Sequence, residues 1–370
     1  QYKQYFFITY TPIPIIILSS SSYVILKAFK GIKYLAISEL VITSISFLIF
    51  IPFIYFFHET GIVLTISITY FITFFIYQYF ARYKILKKHN IFITNIFFAS
   101  FKKKYLKVLL SFAGISIVLI IITTFTEFYT RSILISNVGL GKLGIYVSIY
   151  KWESLFTGFI IPALTTYTFP LISETKSHKE INKILNDVFR VMTFASFVFV
   201  ILVIATRKLF IPLFYSIEYY EAIQYIPYHF LGLMFSIWYR CFKQAYAPMG
   251  KLKQLFWIEV INHLLIISVV LLFVHQFGLW GWMLRYTIVP IIIFVFYMGY
   301  LSKEIKFRFS KSNKILFVYS ILSIVSTIII INLNLSDIVV YLVSIFSIIG
   351  LYKLLSIKEK KYVLEKIKYR

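Results

Sequence analysis

The stretch Ile315–Ser336, which reads ILFVYSILSIVSTIIIINLNLS, contains no charged residue over 22 positions. Two similar stretches are Tyr5–Leu26 (YFFITYTPIPIIILSSSSYVIL) and Gly61–Phe80 (GIVLTISITYFITFFIYQYF). A helix rises 1.5 Å per residue, so about 20 apolar residues cross a hydrocarbon core that is about 30 Å thick. Strands that cross a membrane are about half as long. These lengths predict transmembrane α-helices and exclude a β-barrel.

The composition also indicates a membrane protein. Hydrophobic residues make up 60% of the 370 residues and charged residues 14%, whereas soluble chains average roughly 45–50% and 25%. We therefore predict an all-α polytopic membrane protein. Its charge-poor stretches give eleven candidate spans, at about 5–26, 35–57, 61–80, 108–128, 144–170, 190–206, 223–239, 255–274, 279–300, 315–334 and 338–356.

Basic residues alternate between the two sides of these spans. One set of connections holds 31 Lys and Arg residues, in the segments 27–33, 82–107, 176–190, 240–253, 303–314 and 353–370. The opposite set holds five, namely Lys3, Arg131, Lys142, Arg207 and Lys208. Because Lys and Arg collect on the cytoplasmic side of bilayer proteins, the first set and the C-terminus are predicted to be cytoplasmic. The same rule accounts for the net charge of +24 without nucleic acid as a partner.

The start of the chain lacks the features of a signal peptide. Gln1 stands where an initiator Met would be, and no basic region or small-residue cleavage site accompanies the first span. With a cytoplasmic C-terminus, eleven spans put Gln1 on the outside. We expect an N-terminally truncated chain from which an odd number of helices is missing.

The sequence does not support an enzyme. It contains no Gly-rich, Lys-containing nucleotide loop and no Ser/His or paired-carboxylate constellation in a loop. Cys241 is the one cysteine, which excludes a disulfide framework and a multi-cysteine metal site. We predict neither a cofactor nor a metal, and we expect the protein to act inside the bilayer.

Two segments of the chain match over nine positions. Lys33–Val41 (KYLAISELV) parallels Lys253–Ile261 (KQLFWIEVI). Each leads to a span whose far end turns at a glycine, Gly61 in one copy and Gly278 in the other. A repeat of this kind is typical of transporters built from two parallel half-bundles, and chance similarity is the alternative.

A series of short motifs carries a family resemblance. Arg131-Ser-Ile-Leu-Ile-Ser is followed by Gly139-Leu-Gly-Lys-Leu-Gly144-Ile-Tyr146 and by Lys151. Further along come Phe169-Pro170-Leu-Ile-Ser173, an aromatic-rich turn at 210–224, and Ala247-Pro-Met-Gly250-Lys251. In the order and spacing of these motifs the chain resembles the polysaccharide repeat-unit flippases, O-antigen type, of the multidrug/oligosaccharidyl-lipid/polysaccharide exporter superfamily. Thr130 departs from that family, which often has Asp at this position.

The resemblance implies two six-helix lobes with a central cavity and two added helices. For this chain it gives the end of the first half-bundle at 1–80, a cytoplasmic linker at 81–107, the second half-bundle at 108–300, the extra helix pair at 301–356 and a basic tail at 357–370. The implied function is a flippase that moves a polyprenyl-diphosphate-linked oligosaccharide across the bacterial cytoplasmic membrane by alternating access. The implied partners are this oligosaccharide and membrane lipids, with polysaccharide polymerase and chain-length proteins as further candidates.

Three cations are candidates for binding the substrate. Charge inside a bilayer costs several kcal/mol unless it is paired or hydrated, so an intramembrane ionisable residue is a functional candidate. Lys151 and Arg285 lie about six or seven residues into their predicted helices, roughly 10 Å deep, and Arg131 would form the rim of a cavity. Together they would bind a diphosphate through charge-assisted hydrogen bonds. The alternative is structural ion pairing, since Glu127 stands four residues before Arg131.

Two carboxylates occupy equivalent places in the repeat. Glu39 and Glu259 would either bind a coupling proton or sodium ion or pair with a neighbouring lysine of a loop. His229 and His263 also lie within predicted spans, and we interpret both as hydrogen-bonded packing residues rather than as titrating groups.

Two other functions were compared with the flippase. A proton- or sodium-coupled small-molecule or drug antiporter of the same superfamily would need a dominant intramembrane carboxylate site, for which only Glu39 and Glu259 qualify. A membrane glycan polymerase would need a long external loop with catalytic residues, and no predicted external connection exceeds about fifteen residues. The antiporter is therefore the alternative function.

Overall fold

The computed structural model describes residues 2–29, 31–91, 103–175 and 177–355, and across these ranges the chain is helical and contains no strand. In hydrocarbon every backbone N–H and C=O group needs a partner within the protein, and a helix provides these partners inside one segment. The predicted all-α fold class is confirmed. The helices form two compact units, the first from Gln1 to Leu106 and the second from Lys107 to Arg370.

The first unit consists of α1 (Tyr2–Tyr10), α2 (Ile13–Ala28), α3 (Ile32–Tyr79) and a π-helical turn (Phe80–Leu86). Helix α3 is interrupted at His58, whose φ of 50° and ψ of −126° are not helical. A straight helix of 48 residues would be about 70 Å long, more than twice the thickness of a hydrocarbon core. The chain reverses at His58 instead, so that Gly61 lies against the backbone of Phe53.

Seven helices make up the described part of the second unit, and the first of them begins four residues before the boundary between the units. They are α4 (Lys103–Glu174), α5 (His178–Phe214), α6 (Ala222–Tyr246), α7 (Leu252–Phe277), α8 (Leu279–Glu304), α9 (Lys311–Asn332) and α10 (Asp337–Leu354). A 3₁₀ turn, Ile217–Tyr219, precedes α6. Helix α4 is interrupted at Gly139, where φ is 83° and ψ is 169°. Helix α5 begins with Ser177, whose side chain accepts a hydrogen bond from the N–H of Glu180, as a helix N-cap does.

Helix α6 is the centre of the second unit. Eighteen of its 25 residues are buried, and it packs against α5, α7, α8 and α9. Its Trp238 is fully buried, and the indole N–H donates to Thr193 Oγ1 at 2.8 Å, so the one polar atom of the ring is satisfied. Helices α9 and α10 pack on each other and on α5. The apolar core therefore surrounds α6.

Seven helical segments of the described residues are long and apolar enough to cross a membrane, which makes the chain a multi-pass membrane protein. Two of them, Lys33–Leu86 and Leu110–Glu174, contain the interruptions at His58 and Gly139, and α6 and α10 are not among the seven. The count of eleven spans and the expected domain boundaries stay predictions. The basic tail at 357–370 and residues 92–102 of the linker at 81–107 lie outside the described residues.

The internal repeat extends beyond the nine matched residues, at a constant offset of 220 positions. His58 and Gly278 have nearly the same dihedral angles, with φ of 50° and 55° and ψ of −126° and −127°. Both residues reverse the chain between two helical segments. Gly61 and Gly278 were treated as equivalent in the sequence analysis because both are glycines at the far end of a span. This pairing was wrong, since the two residues do not have the same place in the repeat. The backbone conformation pairs Gly278 with His58, which makes Gly281 the equivalent of Gly61.

Tertiary hydrogen bonds recur at the same offset. Ser67 Oγ donates to the carbonyl of Ile8 at 2.7 Å, and Thr287 Oγ1 donates to the carbonyl of Tyr228 at 3.0 Å. The loops that precede α3 and α7 agree as well, because the N–H groups of residues 31 and 251 each donate to the carbonyl five positions earlier at 2.8 Å. Residues 2–79 and 222–299 therefore share one structural motif, which confirms the repeat.

We expect Gly232→Ala to lower the melting temperature of the purified protein. A Cβ atom at this position of α6 would lie far inside van der Waals contact with the backbone of Tyr286 and Thr287 on α8, so the two helices would have to separate. Overpacking of this kind costs about 1–3 kcal/mol. Thermal unfolding in detergent measures the effect.

The matched control is Gly299→Ala on α8, where nothing lies within 4 Å of an added Cβ. This change should leave the melting temperature unaltered or raise it, because Ala is the better helix former. Equal melting temperatures for the two variants would contradict the close contact of α6 and α8.

Candidate functional site

The most deeply buried cation of the candidate site is Arg285 on α8, whose side chain is 3% exposed. Its guanidinium donates to Thr130 Oγ1 at 2.9 Å, to Glu127 Oε1 at 3.3 Å and to the hydroxyl of Tyr286. Thr130 and Glu127 belong to α4, so the arginine joins α4 to α8. These three acceptors replace the water that a charged guanidinium loses on burial, which allows Arg285 to stay charged inside the protein.

Aromatic rings enclose the same guanidinium. Its central carbon lies 3.8 Å from the centroid of the Trp282 ring and 4.6 Å from that of Tyr286, within the range of a cation–π interaction. The hydroxyl of Tyr286 is hydrogen-bonded to that of Tyr146 on α4. Because Tyr146 follows the interruption at Gly139 and Thr130 precedes it, Arg285 and Tyr286 contact both segments of α4.

A buried histidine–glutamate pair lies beside Tyr286. His229 on α6 and Glu153 on α4 are 1% and 7% exposed, and their Nε2 and Oε2 atoms are 2.6 Å apart. The imidazole centroid lies 4.6 Å from that of Tyr286. A continuous series of contacts therefore runs from Glu127 through Arg285, Tyr286 and His229 to Glu153.

Two arginines share one carboxylate at the accessible end of this series. Glu127 Oε2 lies 3.3 Å from Arg131 Nε, and Glu127 Oε1 lies 3.3 Å from Arg285 Nη2. Arg131 and Glu127 are 43% and 37% exposed. The three side chains carry two positive charges and one negative charge, so the group retains the capacity to bind an anion.

The three predicted cations differ in their surroundings. Arg285 and Arg131 are brought together through Glu127, and the ion pair between Arg131 and Glu127 matches the structural alternative. Lys151 is exposed, and its ammonium group makes no hydrogen bond or ion pair within the described part of the chain. The structure therefore joins two of the three predicted residues and not the third.

The two repeat-related carboxylates each accept a hydrogen bond from a tyrosine 38 residues further on. Tyr77 donates to Glu39 Oε1 at 2.5 Å, and Tyr297 donates to Glu259 Oε1 at 2.7 Å. Glu259 also pairs with Lys243 at 2.7 Å. A lysine pair was the predicted alternative, but Lys243 lies in the last turn of α6 and not in a loop. Glu39 is exposed and Glu259 is buried. The ion-coupling role of both residues stays a prediction.

Sequence reasoning missed most of the neutral members of the site. Thr130 is fully buried and accepts from Arg285, although it was noted only as a departure from the resembled family. Tyr146 was noted only as the end of a family motif and not as a site residue, and Tyr286 gave no signal among so many aromatic residues. Glu153 was missed as well, although a buried carboxylate requires a partner, which here is His229. Among the described residues, no three His, Cys, Asp or Glu side chains form a metal site.

Comparisons with known proteins agree with this architecture. Residues 89–224 match a family described as polysaccharide biosynthesis protein. A comparison with the curated proteins found no match. The chain is similar to the structure of the lipid II flippase MurJ in an inward closed conformation, with 19% identity, a TM-score of 0.64, and coverage of 94% of this chain and 73% of MurJ.

Multidrug transporters of the MATE type share the fold. A MATE mutant has 14% identity and a TM-score of 0.70, covering 82% of this chain and 69% of the transporter. A mutant of the Vibrio cholerae MATE transporter VcmN has 13% identity and a TM-score of 0.65, covering 78% and 66%. The chain has the fold of these flippases and transporters, which are not described as enzymes. The predicted transporter fold is confirmed, while membership of the superfamily and the O-antigen type stay predictions.

We expect Glu153→Ala to destabilise the protein strongly. The substitution leaves the Nε2 atom of a fully buried imidazole without its partner, and breaking a buried pair in this way costs about 3–5 kcal/mol. Chemical or thermal unfolding in detergent gives the change. As a control, Glu304→Ala removes a carboxylate that is 26% exposed and paired with Lys251 at 2.6 Å. That loss should stay below about 1 kcal/mol, and an equal loss in both variants would contradict a structural role for the buried pair.

Proposed function

We propose that this protein is a flippase that moves a polyprenyl-diphosphate-linked oligosaccharide, an O-antigen or other surface-polysaccharide repeat unit, across the bacterial cytoplasmic membrane by alternating access. The observation that carries the proposal is the buried Arg285 guanidinium, which shares a single carboxylate with Arg131 inside a transporter fold. The match of residues 89–224 to a polysaccharide biosynthesis family and the similarity to a lipid II flippase support it.

The chemistry of the substrate explains why such a site is needed. Sugar hydroxyls and a charged diphosphate cannot enter hydrocarbon without large desolvation costs. A diphosphate presents several oxygen acceptors, and a guanidinium donates to two of them at once. In this proposal the diphosphate replaces Glu127 as the partner of Arg285 and Arg131, and the exposed Lys151 supplies a third positive charge.

The membrane context follows from the charge distribution. The protein would lie in the inner membrane with its C-terminus in the cytoplasm, because the Lys-rich and Arg-rich connections are predicted to be cytoplasmic. Its other partners would be membrane lipids and the polysaccharide polymerase and chain-length proteins that receive the translocated repeat unit.

The alternative is a proton- or sodium-coupled antiporter for small molecules or drugs. One observation favours it, because Glu39 with Tyr77 and Glu259 with Tyr297 form two equivalent carboxylate–hydroxyl pairs that could take up a cation. The pairing of Glu259 with Lys243 weakens this function, since an internal cation already neutralises one of the two carboxylates.

The central prediction concerns Arg285. In a bacterial mutant that lacks its surface-polysaccharide flippase, the gene should restore surface glycan, and Arg285→Ala should reduce the restoration at least about tenfold, the equivalent of one lost charge-assisted hydrogen bond. Arg285→Lys keeps the positive charge but loses the planar guanidinium that can donate two parallel hydrogen bonds. Its restoration of glycan should lie between that of the parent gene and that of Arg285→Ala. Lys151→Ala should reduce the restoration to a smaller extent. Glycan is measured by gel analysis at matched membrane expression.

Lys179→Ala, which removes an exposed lysine near the start of α5, is the control and should restore glycan fully. Restoration that survives Arg285→Ala would reject the cation site while retaining the flippase. No restoration in strains with matched sugars, together with proton-driven uptake of an organic cation into proteoliposomes that is lost in Glu39→Gln, would favour the antiporter.

A further inference from the structure

A polar cavity lies in the second unit and shares no residue with the Arg285 site. Its volume is 580 Å³, within the range of small-molecule sites. It is formed by the end of α5, the start of α6, the end of α9 and the start of α10. Its polar lining consists mainly of Arg207, Lys208, Tyr220, Gln224, Asn334 and Asp337.

Arg207 is the unusual member of this lining. It is 3% exposed, and one terminal nitrogen of its guanidinium donates to the carbonyl of Ile204 at 2.8 Å. Its Nε atom is buried and has no hydrogen-bond partner among the described residues. Asp337 of α10 acts on this charge only at longer range, since no ion pair of Arg207 lies within 4.0 Å among the described residues. A buried charge without a directly paired counter-ion is costly, and a bound anion would reduce that cost.

The carboxylates around the cavity are already paired. Asp337 lies 2.9 Å from the ammonium of Lys208, and Glu221 is paired with Lys142. Each of the two carboxylates therefore has a lysine of its own. The guanidinium of Arg207 has only the longer-range attraction of Asp337 and no directly paired carboxylate at this cavity.

The remaining polar side chains suit a hydroxylated ligand. Gln224 and Asn334 are exposed and carry amides that both donate and accept hydrogen bonds, and Tyr220, at 39% exposure, offers a ring face and a hydroxyl. Arg207 and Lys208 lie near the end of α5 that the distribution of basic residues predicts to be external, so the cavity is predicted to face the outside of the cell.

We infer that this cavity binds an anionic oxo group, a phosphate or a carboxylate, that is carried on a hydroxylated molecule, with Arg207 as its anchor. A planar guanidinium binds either group through two parallel hydrogen bonds. On the predicted outer side, two sources supply this chemistry, the glycerol phosphate headgroup of an anionic lipid and an acidic sugar of a glycan. The inference does not depend on the proposed function of the Arg285 site.

The test is binding to the purified full chain by titration calorimetry, with glycerol 1-phosphate, glucuronate and neutral glucose as probes. Glycerol 1-phosphate or glucuronate should bind at least about tenfold more tightly than glucose, and Arg207→Gln should remove this preference. The matched control is Lys179→Gln, which neutralises an exposed lysine near the other end of the same helix and should leave the affinities unchanged.

The melting temperature of the ligand-free protein distinguishes a binding residue from a structural one. Since no carboxylate pairs directly with the buried Arg207, Arg207→Gln should leave the melting temperature unchanged or raise it. An arginine that only holds the helices together would lower it. A lower melting temperature together with unchanged affinities would overturn the inference.

A second experiment, with lipids, identifies the source of the anion. Native mass spectrometry of the protein from nanodiscs that contain phosphatidylglycerol, with phosphatidylcholine nanodiscs as reference, reports bound lipid. A phosphatidylglycerol adduct that disappears in Arg207→Gln assigns the site to a lipid headgroup, whereas glucuronate binding without such an adduct assigns it to a glycan. If neither probe nor lipid distinguishes the variant from the parent protein, the cavity is not an anion site.

Discussion

A charged guanidinium buried among helices must find hydrogen-bond acceptors inside the protein, and the arrangement around Arg285 follows from this requirement. Thr130 and Glu127 accept from it on one segment of α4, and Tyr286 connects it to Tyr146 on the other. The break in α4 at Gly139 lets two segments of one helix contribute to a single site. The close contact of α6 with α8 at Gly232 then brings His229 beside Tyr286. Helix packing and site chemistry are thus parts of one arrangement.

The two copies of the repeat share a backbone but differ in their chemistry. Thr65 occupies the position of the first unit that corresponds to Arg285, and its hydroxyl donates to the carbonyl of Gly61 in its own helix. The carboxylate–tyrosine pairs are kept in both copies, whereas Lys243 joins only the second pair. Conserved turns and hydrogen bonds therefore fix the motif, and a few substitutions at equivalent positions decide which unit carries the buried charge.

Much of the fold could be predicted from the sequence because the length of an apolar run is a strong physical constraint. Uncharged runs of about 20 residues indicated membrane helices, and the nine-residue match indicated the repeat. The cost of intramembrane charge also identified Arg285. The hydrogen-bond partners of Arg285 were harder to predict. Thr130, Tyr146 and Tyr286 are neutral, so the cost of intramembrane charge does not identify them, and the two tyrosines are among 30 in the chain. Which helix faces meet depends on close packing, as at Gly232, and no periodicity in the sequence encodes it.

The two copies of the repeat reverse the chain with different residues, and this difference affects the stability of each hairpin. The dihedral angles at the reversal are those of a position that favours glycine, and the second unit has Gly278 there, whereas the first unit has His58. A side chain in this conformation costs about 1–3 kcal/mol, which packing in the first unit has to offset. Among the described residues, the first unit also has the smaller buried apolar cluster of the two. Under mechanical pulling or in a thinning bilayer, we therefore expect the hairpin of α3 to open before its counterpart at Gly278.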